Sequence, residues 1–573
     1  MSSTASGGLS FLRKENIVAP EGFNRWRVPP ASIAIHLCIG SVYAWSVFNP
    51  PLTRELGIVA SSAADWSLSS VVWIFSVAIV VLGLTAAFGG KWLEKVGPRY
   101  VGVVAATLWG GGFLVGSVGI ATHQLWLVYF GYGVLGGAGL GLGYVSPVST
   151  LIRWFPDRRG MATGMAIMGF GGGAIIGAPL IQWLLSVYQK APEYLGPEAA
   201  VALVTEGGKR FAETANGLVE VVVANAGQAA TVGGEAGVYV VGTGSTGASA
   251  TFLTLGIVYF FVMVIAAFQY RVPREGWKPE GWTPAPSKSG MVTKNNVHID
   301  QALKTRQFWL LWIVLCFNVT AGIGVIGVAK TMINEIFGDL VLVTAAFAGT
   351  YVLMISVFNM VGRFFWASTS DYIGRKNTYH CFFVIGTLLY CSIPFFAAQG
   401  GVTALIGFYI ATMIIFTMYG GGFATIPAYL ADIFGTMHVG GIHGRLLTAW
   451  STAGVLGPFA ITYLREQSRG SAINDLAAQV DPAAFMERFG APISQLNELV
   501  AAKTVTIARL MEIAPAGTMD PTATLYNTTM YAMAALLVIA FFANLLVRPV
   551  NDRHHVENTH PEPSSGGAMQ PAE

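Results

Sequence analysis

The feature that most constrains this chain is its succession of long apolar runs. Twelve stretches, at about 29–49, 66–88, 100–121, 125–152, 161–185, 249–270, 306–328, 343–366, 378–397, 402–430, 444–464 and 525–547, each approach the ~20 residues that cross a bilayer as a helix. Backbone polar groups in hydrocarbon must be satisfied within the segment, which selects helices. Only 11% of the 573 residues are charged and 53% are hydrophobic, against about a quarter charged in soluble domains. Glycine, frequent in membrane helices, occurs 69 times. The pattern predicts an all-α membrane protein. A net charge of only +3 argues against a nucleic-acid partner.

Basic residues in short loops set the orientation. Lys91, Lys95 and Arg99 follow the second stretch, Arg153, Arg158 and Arg159 the fourth, and Arg375 and Lys376 the eighth. Arg54 and Lys330 are the basic exceptions in short loops on the other side. Both termini are therefore expected in the cytoplasm, in a multi-pass protein of the cell inner (cytoplasmic) membrane. Residues 1–27 carry Arg13, Lys14, Arg25 and Arg27 without the apolar stretch of a secretory signal. The expected organisation is a cytoplasmic segment at 1–27, a six-helix half at 28–270, a linker at 271–304, a second six-helix half at 305–547 and a polar, disordered tail at 548–573. Outer insertions interrupt the halves at about 186–248 and 465–524, the second with a short surface helix between Pro482 and Met511.

Cys38, Cys316, Cys381 and Cys391 all fall in apolar runs and read as packing residues rather than a disulfide or metal framework. The nine histidines form no paired helical ligand set, and no nucleophile–base constellation is visible, so no catalytic, metal or cofactor site is expected. The Gly runs at 136–143 and 169–173 lack the Gly-Lys-Ser/Thr ending of a P-loop, so nucleotide is not an expected partner. Gly133, Gly137 and Gly141, and Gly169, Gly173 and Gly177, recur every four residues and make small faces for close helix packing.

One arginine stands inside a predicted spanning core. Arg363 lies in the eighth run, where a cation costs roughly 2.5 kcal/mol or more at the bilayer centre and marks a functional candidate. It is followed by the turn Asp371, Gly374, Arg375 and Lys376. A related turn, Gly90, Glu94, Gly97 and Arg99, follows the second run. Matching turns in two six-helix halves are the internal symmetry of a transporter.

These turns and twelve helices resemble the major facilitator superfamily, whose loop motif has the form G-x-x-x-D-x-x-G-R-K. The second copy fits, whereas the first has Glu94 for Asp and Pro98 before Arg99. Further motifs narrow the resemblance to the oxalate/formate antiporter family, bacterial relatives of monocarboxylate transporters. They include YAWSVFNPPL at 43–52, GLGYVSPVSTLIRWFPDRRG at 141–160, NVTAGIG at 318–324, NMVGR at 359–363, YGGGFATIPAYLADIFGT at 419–436 and IHGRLLTAWSTAGVLGP at 442–458.

The resemblance implies that Arg363 binds the substrate carboxylate, to which a guanidinium offers a permanent charge and a matching fork. It also implies that Tyr43, Trp45, Tyr144, Phe170, Tyr419 and Phe423 surround a small anion, and that the duplicated turns act as gating latches. Oxalate carriers of the family are expected to have a second cation, a lysine in the eleventh helix. Here that position falls on Trp450, which favours a monoanion such as lactate, pyruvate or formate. Proton-coupled relatives often place Asp four residues before the arginine, where this chain has Asn359. His36 is then the candidate for proton coupling. The implied function is secondary transport of small monocarboxylates by alternating access, with a proton or counter-anion as partner. An oxalate/formate-type exchanger and a transporter-like carboxylate sensor are the alternatives.

Overall fold

The computed structural model describes residues 10–155, 159–215, 217–274, 277–281, 293, 295–435 and 438–555. The expected tail from 556 and most of the linker lie outside them. Eleven described helices are long and apolar enough to cross a membrane. They are α1 (Arg25–Val47), α2 (Leu68–Gly89), α3 (Pro98–Ala121), α4 (Leu125–Val148), α5 (Ile167–Tyr188), α6 (Ala248–Phe268), α7 (Arg306–Phe337), α8 (Ala345–Ile373), α9 (Arg375–Gln399), α10 (Gly401–Phe434) and, after the next helix, α12 (Pro521–Leu545). The remaining helix, α11 (Thr448–Ala477), is long but polar towards its C-terminal end.

The helices form two halves whose contacts repeat. In the first half α1 meets α5 where Gly40 and Gly173 touch backbone to backbone, and in the second α7 meets α11 at Gly324 and Gly457. A Cβ at Gly324 would lie 2.8 Å from the Gly457 carbonyl. Gly133, Gly137 and Gly141 bring α4 onto Val77, Ala78 and Leu82 of α2. Gly169, Gly173 and Gly177 bring α5 onto His36, Gly40 and Ser41 of α1. Both glycine series thus serve close packing, as their spacing predicts. Gly97 and Gly374 hold φ of 91° and 86°, a region disfavoured for other residues, so that the helix of α2, which runs on to Val96, and α8 turn directly into α3 and α9.

Three placements differ from expectation. Lys330, assigned to a loop, lies inside α7 and is buried. Helix α7 continues past it to Phe337, its backbone satisfied within the helix. Helix α11 runs on to Ala477, so that Arg465 is helical rather than in the insertion. Its Nε donates to the Glu335 carboxylate on α7 at 2.8 Å, and the Tyr526 hydroxyl donates to the same group at 2.6 Å. A neutralised arginine no longer ends a helix that hydropathy alone would stop. Arg363 lies ten residues before the end of α8, which continues to Ile373 rather than Trp366.

Both insertions project from the face opposite the chain termini. The first forms a five-stranded antiparallel sheet in the order β1-β5-β4-β3-β2, from β1 (Tyr194–Gly196), β2 (Leu203–Glu206), β3 (Lys209–Thr214), β4 (Gly217–Ala224) and β5 (Gly237–Val240). The second contributes short helices at Pro482–Phe489, Leu496–Ala501 and Ile507–Met511, in place of one surface helix. Glu198 clamps the two together, accepting from Arg210 and Arg488 at 2.7 Å each. Between them and the helix ends lies a cavity of about 990 Å³. All four cysteines are free: Cys38 and Cys316 are buried, Cys381 is half-buried, and Cys391 is exposed.

Candidate substrate site

Arg363 is buried, with 3% of its surface exposed. Its Nε donates to Asn359 Oδ1 at 3.1 Å, one helical turn earlier, which fixes the plane of the guanidinium. Gly171 of α5 faces the arginine so closely that a Cβ there would lie 2.7 Å from Nε. The Ser356 hydroxyl donates to the Gly171 carbonyl at 2.5 Å and ties α8 to α5 beside it.

Five aromatic side chains close a circuit next to this cation. Ring centroids run Tyr43–Phe170 at 5.2 Å, Phe170–Trp450 at 5.6 Å, Trp450–Phe423 at 4.7 Å, Phe423–Tyr419 at 5.4 Å and Tyr419–Tyr43 at 6.1 Å. Every pair is edge-to-face, the arrangement that sets a positive ring edge on a negative face. Tyr43 and Phe170 come from the first half, and Tyr419, Phe423 and Trp450 from the second. Tyr144 abuts Phe170 at 5.5 Å and Trp450 at 5.7 Å. The guanidinium carbon stands 5.3 Å from the Phe423 centroid, a cation–π contact. The Tyr419 hydroxyl donates to that of Tyr43 at 3.1 Å, and Tyr43 lies within electrostatic reach of the guanidinium.

The sequence-predicted residues therefore converge, with one exception. Trp45 packs on Tyr132 at 4.6 Å, Phe48 at 5.8 Å and Phe252 at 6.4 Å, within the first half and away from the circuit. His36 sits one layer behind, stacked on Tyr144 at 5.5 Å with Nε2 3.2 Å from the Tyr144 carbonyl. Asn359, Gly171 and Ser356 are site neighbours that the sequence reading did not nominate. The spacing of Asn359 to Arg363 was a usable signal; the approach of α5 was not.

The duplicated turns act as caps within each half. Arg99 donates to the Phe268 carbonyl at 3.0 Å and the Tyr270 carbonyl at 3.3 Å, at the end of α6. In the second half Lys376 donates to the Leu545 and Val547 carbonyls at 2.9 and 2.8 Å, at the end of α12. Arg375 pairs with Asp371 at 2.5 Å and reaches Asp432, near the end of α10, at 3.8 Å. Gly90 lies in the helix before the first turn, and the Glu94 side chain lies outside the described residues.

The family model for the major facilitator superfamily matches residues 31–197 and 213–463. The oxalate:formate antiporter of Oxalobacter formigenes is 26% identical over 440 residues, covering 76% of this chain and 83% of that protein. Apicoplast pyruvate carrier 1 of Toxoplasma gondii is 22% identical, covering 72% and 78%. Among solved structures, a bacterial homolog of the human lysosomal transporter Spinster, inward-facing and occupied, shares the fold. Its TM-score is 0.57 at 14% identity, covering 94% of this chain and all of that one.

Proposed function

Because the chain belongs to the major facilitator superfamily, we propose that it is a secondary active transporter of small monocarboxylates such as lactate, pyruvate or formate, working by alternating access. Membership of a transporter family sets it apart from membrane enzymes. The observation that carries the reading is the single guanidinium of Arg363, oriented by neutral Asn359 and set beside an aromatic circuit that includes Trp450. One carboxylate neutralises this site. A dianion would leave a net charge in a low-dielectric interior, at a cost of several kcal/mol. Two relatives named for small carboxylates, an oxalate:formate antiporter and a pyruvate carrier, support the substrate class.

In this reading the substrate links the halves. Its carboxylate takes the free guanidinium donors of α8 while the Tyr43 hydroxyl of α1 completes its hydrogen bonding. Release to either face then requires the Tyr43–Tyr419 side of the circuit, or the Phe170–Trp450 side, to part. The capped turns at Arg99 and Lys376 keep α3 with α6 and α9 with α12, so each half moves as a unit. The face with the termini, bearing Lys95, Arg99, Arg153, Arg375 and Lys376, is the cytoplasmic one, and the insertions face outward from the inner membrane.

Anion exchange of the oxalate:formate type is the second reading, favoured by Asn359, which holds the guanidinium without a titrating proton. In proton symport His36 is the coupling residue. Uptake of labelled lactate, pyruvate, formate and oxalate into proteoliposomes, with and without a pH gradient, tests the proposal. Saturable monocarboxylate uptake that oxalate fails to inhibit is expected. Strong oxalate uptake without competition by monocarboxylates would overturn the substrate assignment. Binding without flux would identify a sensor. Acceleration by an acid exterior assigns symport, and stimulation only by internal anion assigns exchange.

A further inference from the structure

A second group of cations lies at the insertion-face end of the seam between α1 and α7. Asn49 Nδ2 pins that seam by donating to the Gly327 carbonyl at 2.8 Å. Just beyond the pin, three buried polar atoms lack a hydrogen-bond partner among the described residues: Asn49 Oδ1, Arg54 Nε and Thr331 Oγ1. Lys330, only 7% exposed, makes no hydrogen bond or ion pair with any described residue. It lies within electrostatic reach of Arg54, on which the Asp65 carboxylate also acts, and neither cation makes an ion pair with a described carboxylate.

The nearby acids are committed elsewhere. Asp65 accepts from the backbone N–H groups of Leu56, Gly57 and Ser62 at 2.7, 3.1 and 2.8 Å, and from the Ser62 hydroxyl at 2.9 Å. Glu335 holds Arg465 and Tyr526, and Glu466 holds Arg465 and Arg469. Burial holds the Glu55 carboxyl up to about 7, and the Thr246 hydroxyl donates to it. A third cation, Lys503, donates to Ser61 Oγ at 2.9 Å and the Asp65 carbonyl at 2.7 Å. Arg54, Ser61, Thr331 and Lys503 all line the cavity of about 990 Å³ beneath the insertions.

We propose that Arg54 and Lys330, with Thr331 and Lys503 at the rim, form a second anion site that takes a small carboxylate from the insertion face before it passes to Arg363. A fork, a point charge and a hydroxyl are the donors that suit an oxyanion. Clustered cations that only Asp65 and Glu466 offset, without an ion pair to Arg54 or Lys330 among the described residues, also raise the local concentration of anions. The two insertions then have a function, as walls of the antechamber. This inference rests on the reading of the chain as a carrier of small carboxylates.

The test compares uptake of labelled L-lactate from each face in oriented proteoliposomes for wild type, Arg54→Gln and Lys330→Met. From the insertion face KM rises about tenfold in each variant, the effect of ~1.4 kcal/mol from one lost charge-assisted hydrogen bond, with Vmax little changed. From the opposite face KM is unaltered. An unchanged KM, or an equal rise from both faces, overturns the proposal. If Lys330→Met fails to reach the membrane, Arg54→Gln decides by the same comparison. A wild type that carries no carboxylate refutes the transport reading instead, and binding then decides the outer site. There L-lactate raises the melting temperature of Arg363→Ala protein and leaves that of Arg54→Gln/Arg363→Ala unmoved; equal shifts in both overturn the outer site.

Discussion

Gly171→Ala tests how closely Arg363, the proposed substrate-binding arginine, is held. A Cβ at position 171 would meet Arg363 Nε at 2.7 Å, Cδ at 3.2 Å and Cζ at 3.4 Å. Relief to an ordinary separation of ~3.5 Å moves the guanidinium by most of an ångström. The Nε–Asn359 bond, now 3.1 Å, then stretches past the ~3.5 Å at which it ceases to count. A hydrogen bond to a charged group is worth ~1.5–3 kcal/mol, which corresponds to a loss of affinity of about ten- to hundredfold. The expected result is a rise of that order in the KM for monocarboxylate uptake. Gly164→Ala, on the same helix run with nothing within 4 Å of its added Cβ, is the control and keeps wild-type kinetics. A folded Gly171→Ala protein with a KM within about twofold of wild type would refute the claim that this wall positions the Arg363 guanidinium for the proposed substrate.

Two further outcomes follow from the structure. Trp450→Lys places a second cation among Tyr144, Phe170 and Phe423, and competition assays should show preference moving from monocarboxylates towards dicarboxylates by about tenfold or more, the scale of one ion pair in a desolvated site; an unaltered profile would mean that residue 450 does not face the substrate. Burial raises the Glu55 carboxyl to about 7 against the opposing Thr246 hydrogen bond, so the folded protein holds a proton that the unfolded chain releases near 4.5. Its stabilisation is fully present below about pH 4.5 and is lost as pH rises through about 7. Melting temperatures of Glu55→Gln should fall less steeply across that window than those of wild type; identical slopes would refute the assignment.

The spanning helices and Arg363 were legible because a bilayer allows few alternatives: a segment must be apolar over about 20 residues, and a cation within one stands out. Hydropathy failed at α11, where side chains supplied compensation that it cannot count, and at α7, which carries a buried lysine through without a partner among the described residues. It ended α7 before Lys330 and α11 before Arg465, although Glu335 and Tyr526 accommodate the latter inside the helix bundle. Tyr43 and Trp45 belong to one motif, yet residues two apart on a helix face different ways. The tightened turn over Ser41–Val47 sends Tyr43 to the circuit and Trp45 to Tyr132. The sheet at Tyr194–Val240 was hidden for another reason. Its strands are short, and two of them pair across the Gly207-Gly208 turn at Glu206↔Lys209, so no run shows sustained alternation. Asn359 entered the sequence reading as the loss of a proton partner, whereas the structure makes it the group that orients Arg363.

In the proposed site Arg363 holds the carboxylate, as the one fixed cation there among the described residues. The direct measurement is uptake of labelled L-lactate, pyruvate and formate by Arg363→Ala and Arg363→Lys in proteoliposomes, with insertion and folding checked by melting temperature. Arg363→Ala should fold and carry none of these anions above background. Arg363→Lys should retain little activity, because a point charge cannot reproduce the guanidinium fork. Wild-type uptake by Arg363→Ala at sub-saturating substrate would mean that another group holds the carboxylate.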